Sequence, residues 1–104
     1  MELCMIGAKD ISVYVRKREA ILVDLRSEDD YRDFHIRGAI SVPAKQLSCF
    51  MKRADKNRLY IFYCQHGSQS IQEGRIYARR GYRICSVAGG IEGYVRLLRN
   101  GRNL

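Results

Sequence analysis

Along this chain, short apolar runs typical of buried strands alternate with segments whose apolar residues have helical spacing. Residues 20–25 and 59–63 are short, nearly continuous apolar runs, which are typical of parallel strands buried on both faces. Weaker runs at 39–42 and 82–87 predict two further strands. Helical spacing fills the intervening segments at residues 8–18, 29–34, 68–80 and 90–99 and after Pro43. This alternation predicts an α/β three-layer sandwich, with a central parallel sheet and helices on both faces.

Local signals mark the ends of several helices. Ser27, with Asp30 three residues later, resembles a capping box. Pro43 suits the first turn of a helix, and Gly81 follows residues 68–80 at the usual left-handed stop position. Ligands of parallel sheets bind at the carboxyl ends of the strands. The residues directly after each predicted strand are therefore the candidates for function.

Length and composition favour one globular domain over residues 1–104. The 46% of hydrophobic residues supply a core, and this excludes a disordered chain. No apolar run approaches the roughly 20 residues of a membrane span. The N-terminus lacks the basic start and long apolar stretch of a signal peptide. We therefore expect a cytoplasmic protein that does not associate with membranes.

The charge balance is strongly basic. Nineteen Lys and Arg residues against eleven Asp and Glu give a net charge of +8, which favours anionic partners of any kind. Arginines crowd the last third of the chain, from Arg75 to Arg102. The aromatic and basic residues do not form a recognised base-stacking motif. We interpret this surplus as a solvated basic surface and expect no nucleic-acid partner.

The four cysteines are Cys4, Cys49, Cys64 and Cys85, and none forms a C-x-x-C pair. The spacing predicts neither a zinc site nor a redox pair, and we expect no metal or cofactor. In a reducing compartment all four should be free thiols. Cys4, Cys49 and Cys85 are expected to be small buried hydrophobic residues.

Cys64 has a different context. It follows the strand at 59–63 and precedes a polar loop, Gln65, His66, Gly67, Ser68, Gln69 and Ser70, which leads into a helix. The first turn of a helix has unpaired N–H groups with partial positive charge. A loop that contains glycine can also turn its amides inward to form an anion nest. A thiolate in such a nest is stabilised.

Magnitudes indicate which groups must activate the thiol. A free thiol is only about 3% ionised at pH 7, and a two-unit fall in its pKa needs about 2.7 kcal/mol. A helix terminus contributes ~0.3–1 kcal/mol, whereas each amide bond to the anion contributes roughly 1.5–3 kcal/mol. The loop amides must therefore supply most of the activation. The alternative is a structural cysteine at the end of a core strand.

Three landmarks occur in order and resemble the rhodanese family, particularly its single-domain members. They are Asp24-Leu25-Arg26 with Glu28, Tyr31 and His35-Ile36-Arg37-Gly38-Ala39-Ile40; Cys64 with Gln65 to Ser70; and Gly89-Gly90-Ile91-Glu92-Gly93-Tyr94. The resemblance extends from about residue 21 to residue 98. It implies the rhodanese-like α/β fold with a central parallel sheet.

The resemblance also implies sulfurtransferase chemistry. Cys64 is expected to attack the outer sulfur of a small anionic donor such as thiosulfate and to form a persulfide. The sulfur then passes to cyanide, a thiol or a sulfur-acceptor protein. The loop from Gln65 to Ser70 is expected to bind the substrate. Splitting the transfer into two displacements makes each step easier.

The sequence leaves open whether the side chains of Arg26 and His66 contact the substrate. Arg26 matches a position that faces the substrate in some family members, but it can equally form an ion pair with Asp24 or Glu28. His66 either tunes Cys64 or contacts the donor, or it simply faces water. The loop lacks the Arg or Lys that many members carry. Arg26, Arg75 or the overall positive charge would then have to attract an anionic donor.

The same fold also supports two other functions. The related cell-cycle phosphatases need C-x-x-x-x-x-R, since the arginine clamps the phosphate. The sixth residue after Cys64 is Ser70, so phosphatase activity is disfavoured. A non-catalytic rhodanese-like interaction or regulatory module remains the alternative, although such modules typically lack the cysteine. Whether Cys49 or Cys85 resolves an oxidised Cys64 is left open by the sequence.

Overall fold

A single sheet of five parallel strands forms the centre of the molecule, whose computed structural model describes residues 1–101. The strands are β1 (Cys4–Ile6), β2 (Ile21–Asp24), β3 (Ile40–Ser41), β4 (Leu59–Tyr63) and β5 (Arg83–Val87). Their order across the sheet is β1-β5-β4-β2-β3, and every neighbouring pair is parallel. The expected parallel sheet is confirmed. The edge strand β1 is an addition, because three residues are too few to show a period.

Helices occupy both faces of the sheet, as predicted. They are α1 (Ile11–Lys17), α2 (Glu28–Asp33), α3 (Leu47–Lys52), α4 (Ser68–Arg79) and α5 (Gly90–Arg99), with short 3-10 turns at Ala8–Asp10 and Ala44–Gln46. The Ser27 side chain accepts a hydrogen bond from the Asp30 amide at 3.2 Å and so caps α2. Among residues 1–101, no helix combines the length and apolar character that crossing a membrane requires. Arg102 lies outside the described residues.

Two hydrophobic clusters hold the layers together. On one face of the sheet, Ile11 of α1 and Ile91 of α5 pack with alternate residues of the strands. On the other face, Leu47 and Met51 of α3 pack with Tyr77 of α4. Each of the central strands contributes side chains to both clusters because successive side chains point to opposite faces.

Strand β4 lies in the middle of the sheet, and all five of its residues are buried. It pairs with β2 on one side and with β5 on the other. Its register places Asp24 of β2 opposite Tyr63. The loops after three adjacent strands therefore meet around the residue that follows β4, which is Cys64.

The burial expected for Cys4 and Cys49 is wrong. Both are free and exposed, whereas Cys85 is free and buried. Cys4 lies on the edge strand, and Cys49 lies on an exposed side of α3. Burial, with a smaller contribution from the neighbouring Cys4 sulfur, raises the pKa of Cys85 to about 12.

Candidate active site

Two main-chain amides of the following loop point at the Cys64 sulfur. Its Sγ accepts hydrogen bonds from the Gly67 N–H at 3.2 Å and from the Ser70 N–H at 3.3 Å. These two bonds confirm the prediction that amides of the loop face the Cys64 sulfur. The residue itself is only 3% exposed. Both amides are oriented to stabilise negative charge on the sulfur.

The loop can close so tightly because residue 67 is glycine. Gly67 has φ +114°, in the left-handed region that favours glycine. A Cβ at this position would lie 3.4 Å from the Gly89 amide nitrogen and 3.7 Å from the Val87 carbonyl oxygen. The backbone of the loop thus packs directly against the segment between β5 and α5.

The loop divides into inward and outward residues. Gly67 and Ser70 are buried beside Cys64. The outward residues are exposed, and they are Gln65, His66, Ser68 and Gln69. Of the loop side chains predicted to bind substrate, four therefore lie at the protein surface. The fifth, the Ser70 hydroxyl, is buried beside the Cys64 sulfur.

Further amides of the loop are available to an anion. Among the described residues, the main-chain N–H groups of His66, Ser68 and Gln69 donate to no protein acceptor. Ser68 and Gln69 are the first two residues of α4, where unpaired N–H groups carry partial positive charge. A second sulfur atom bonded to Sγ would find hydrogen-bond donors here.

A buried hydroxyl pair adjoins the sulfur on its inner side. The Ser70 Oγ lies 3.6 Å from the Cys64 Sγ and 3.0 Å from the Gly67 carbonyl oxygen. It also lies 2.7 Å from the Oγ of Ser86 on β5. Both serines are fully buried. Sequence analysis did not identify Ser86, although a serine between the apolar residues Cys85 and Val87 of β5 was an available signal.

The start of α5 contacts the main chain of the loop that follows β4. The Ile91 N–H donates to the Cys64 carbonyl at 3.0 Å, and the Glu92 N–H donates to the Gln65 carbonyl at 3.3 Å. Gly90 has φ +59°, and a Cβ there would lie 2.5 Å from the Cys64 carbonyl oxygen. Gly90 of the third landmark thus allows α5 to approach the Cys64 backbone.

His66 pairs with a residue of α5 at the surface. Its Nδ1 lies 2.9 Å from the Glu92 Oε1, and the Gln65 amide donates to the other carboxylate oxygen at 3.5 Å. The hydrogen bond with His66 holds the pKa of Glu92 below its usual range. Both side chains are largely exposed, so the pair links the loop to α5 at a solvent-screened position.

Arg26 forms the predicted ion pair with Asp24. Its Nη2 lies 2.8 Å from the Asp24 Oδ2 and donates to the Phe34 carbonyl oxygen. Burial alone would lower the pKa of Arg26, but the hydrogen bond and charge of Asp24 raise it. The Tyr63 hydroxyl also donates to Asp24, at 2.6 Å. Direct contact of Arg26 with a donor stays a prediction, since its guanidinium already has protein partners.

A cavity of about 430 Å³ opens beside the loop. Arg26, Gln65, Glu92 and Arg96 contribute to its walls. A larger cavity of about 880 Å³ lies along α3 and includes none of the residues from Gln65 to Ser70, whereas the smaller cavity includes Gln65. Within residues 1–101, no three His, Cys, Asp or Glu side chains are grouped as metal ligands would be.

Comparisons with known proteins identify the family of this chain. The family model described as Rhodanese-like domain matches residues 8–97. The thiosulfate sulfurtransferase GlpE of Coxiella burnetii is 30% identical over 79 residues, which are 75% of this chain and 74% of that protein. The thiosulfate sulfurtransferase PspE of Escherichia coli is 35% identical over 72 residues, which are 67% of this chain and 69% of that protein.

Other relatives have different names or lengths. A tRNA uridine(34) hydroxylase of Buchnera aphidicola is 29% identical over 99 residues, which are 88% of this chain but only 31% of that protein. Among solved structures, a rhodanese-related protein of Thermoplasma volcanium superposes with a TM-score of 0.80 at 23% identity and covers 96% of this chain and 95% of its own. The chain belongs to the rhodanese-like domain family.

Proposed function

We propose that the protein is a sulfurtransferase that carries sulfane sulfur as a persulfide on Cys64. The observation that carries the proposal is the Sγ environment, in which two loop amides donate to the sulfur at 3.2 and 3.3 Å. Further unpaired amides lie next to it among the described residues. The names of the GlpE and PspE relatives support the same reaction class.

The reaction consists of two displacements on sulfur. The Cys64 thiolate attacks the outer sulfur of thiosulfate, a new S–S bond forms, and sulfite leaves with the electron pair of the broken S–S bond. The persulfide anion is then held by the loop amides. A thiophilic acceptor such as cyanide attacks the outer sulfur, leaves as thiocyanate and regenerates the Cys64 thiolate.

Attraction of the donor is proposed to come from the overall charge rather than from one side chain. No residue from Gln65 to Ser70 is cationic, and the Arg26 guanidinium is bound to Asp24 and to a carbonyl group. A net charge of +8 still concentrates small anions near the protein. A thiol or a sulfur-acceptor protein is the proposed physiological acceptor, and the cytoplasmic location stays a prediction.

Mass spectrometry of the intact protein tests the function. After incubation with thiosulfate, we expect a gain of one sulfur atom that maps to Cys64 and is lost on addition of cyanide. Cys64→Ala should gain no sulfur at this position, whereas Cys49→Ala, which changes an exposed cysteine on α3, should load normally. Absence of loading with thiosulfate and with an organic persulfide would refute the proposal.

The second candidate is a non-catalytic interaction module. It is favoured by the low exposure of Cys64, 3%, because a donor must reach a nearly covered sulfur. Under this hypothesis the protein stays unmodified by sulfane donors although it is folded. The loading experiment therefore distinguishes the two functions.

A further inference from the structure

We propose that Ser86 is a positioning residue that holds the Ser70 hydroxyl toward the Cys64 sulfur. The proposal rests on the proposed function in one respect, namely that Cys64 reacts as a thiolate. It concerns a residue outside the loop and outside the three sequence landmarks. Ser86 lies on β5 and acts through Ser70 rather than on the substrate.

The direction of the hydrogen bond between the two serines follows from counting donors. Each hydroxyl has one hydrogen. The Ser86 Oγ has one hydrogen-bond partner among the described residues, the Ser70 Oγ at 2.7 Å. If Ser70 donated to Ser86, the hydrogen of the fully buried Ser86 would have no acceptor, which is costly. Ser86 therefore donates, and Ser70 accepts.

This assignment leaves the Ser70 hydrogen free for two acceptors. The Gly67 carbonyl oxygen lies 3.0 Å from the Ser70 Oγ, and the Cys64 Sγ lies 3.6 Å from it. When the sulfur is a thiol, its S–H can donate to Ser70, and Ser70 donates to Gly67. When the sulfur is a thiolate, the Ser70 hydrogen can turn to it as a third donor beside the amides of Gly67 and Ser70.

Ser86 allows the Ser70 hydrogen to turn between the Gly67 carbonyl and the Cys64 sulfur, because it donates to a lone pair of the Ser70 oxygen. It keeps Ser70 from donating into the sheet, and a hydroxyl that accepts a hydrogen bond becomes a better donor. The sulfur, Ser70 and Ser86 are all buried, so water does not compete for these bonds. The pair thus favours the ionised sulfur from the side opposite the substrate.

The test measures how alkylation of Cys64 by iodoacetamide depends on pH, with the modified peptide resolved by mass spectrometry. Ser70→Ala should slow alkylation at pH 6 about tenfold, and Ser86→Ala about threefold, while the rates at high pH converge on that of the unmodified protein. The double variant should match Ser70→Ala alone, because Ser86 acts only through Ser70.

Ser41→Ala is the matched control. Ser41 lies on β3, and its Oγ is buried with no hydrogen-bond partner among the described residues, so its removal should leave the alkylation profile unchanged. Ser86→Cys keeps a weaker donor of similar size and carries the test if Ser86→Ala does not fold. It should shift the profile in the same direction by a smaller amount.

Three outcomes would overturn the proposal. The first is a Ser86→Ala protein whose alkylation rate depends on pH in the same way as that of the unmodified protein. The second is a double variant whose rate is slowed by the product of the two single effects. The third is a shift for Ser41→Ala as large as the shift for Ser86→Ala. Alkylation needs no sulfur donor. Failure of thiosulfate loading would therefore refute the proposed function but leave the alkylation result unchanged. Equally, alkylation rates that do not respond to Ser86→Ala would refute the role of Ser86 but leave the proposed function unchanged.

Discussion

Asp24 is a fully buried carboxylate at the end of β2. It accepts hydrogen bonds from the Arg26 amide and guanidinium, and from the Tyr63 hydroxyl. The Tyr63 oxygen in turn accepts the Ile36 N–H at 3.1 Å. Burial and the hydrogen bond to Asp24 raise the pKa of Tyr63. The tyrosine therefore stays a proton donor to the carboxylate. These bonds tie the end of β4 to the segment after β2 and to the segment between α2 and β3.

Because Tyr63 links Asp24 to Ile36, we predict that Tyr63→Phe destabilises the protein. The change leaves the buried Ile36 N–H without an acceptor and removes a donor from Asp24, which should cost about 1–3 kcal/mol in the free energy of unfolding. Urea denaturation measures the loss. Tyr77→Phe is the control, since the Tyr77 hydroxyl has no protein hydrogen-bond partner among the described residues. Equal losses in both variants would contradict the argument.

The sequence was informative where contacts are local. The order of a strand, Cys64, a polar loop and a helix start is visible in adjacent residues, and it led to the amides on the sulfur. The contacts of Ser86 with Ser70 and of Tyr63 with Ile36 join residues 16 and 27 positions apart. They depend on the register of β2, β4 and β5, which hydrophobic periodicity does not specify.

Helix α5 is the element that links the third landmark to the site. Its first turn donates main-chain hydrogen bonds to the carbonyls of Cys64 and Gln65. This contact needs Gly90, because a Cβ there would meet both carbonyl oxygens at 2.5 and 2.6 Å. The helix thereby fixes where the loop backbone begins and, with it, the position of the sulfur.

For this element we predict that Gly90→Ala is severely destabilising and impairs sulfur loading. The clash with two backbone oxygens adds to the strain of a positive φ, and together they should cost about 3 kcal/mol or more. Gly38→Ala is the matched control. Gly38 has φ +89°, but a Cβ at this position would have nothing within 4 Å among the described residues, so only the strain of about 1–2 kcal/mol applies.

Thermal unfolding of both variants, together with thiosulfate loading below their melting temperatures, checks this prediction. Gly38→Ala should load sulfur normally while folded, whereas Gly90→Ala should load slowly even when it is folded. If both variants lose the same stability and load equally, α5 does not position the loop.

The whole molecule should lose stability at alkaline pH. Burial is the first cause of the raised pKa values of Tyr60, Tyr63, Tyr77 and Cys85. A group that binds its proton more tightly in the folded state stabilises the fold below its unfolded pKa, about 8.5 for Cys and 10 for Tyr. That stability is lost as the pH rises above those values.

We therefore expect the free energy of unfolding to decline from about pH 9 upward. Denaturation curves recorded from pH 7 to pH 11 measure it. Cys85→Ala removes the thiol whose pKa is raised to about 12 and should make the decline begin at higher pH. A stability that is flat over this range would contradict the assignment.

Net charge also acts at the scale of the whole molecule. If the charge of +8 attracts thiosulfate, the rate constant for sulfur loading should fall severalfold between about 0.01 M and 0.5 M ionic strength, as the Debye length shortens from about 30 Å to a few ångströms. Iodoacetamide is uncharged, so its rate with Cys64 is the control. A parallel decrease of both rates would exclude electrostatic attraction of the donor.

The residues of the loop from Cys64 to Ser70 face either inward or outward, and this division has an evolutionary consequence. Cys64, Gly67 and Ser70 lie inward, whereas Gln65, His66, Ser68 and Gln69 lie at the surface. The amides that face the sulfur belong to the backbone of the loop, so replacing an outward side chain leaves them in place. If Cys64 carries sulfur as proposed, the surface positions of the loop can be changed one at a time, by evolution or by design, while the amides around the sulfur are kept.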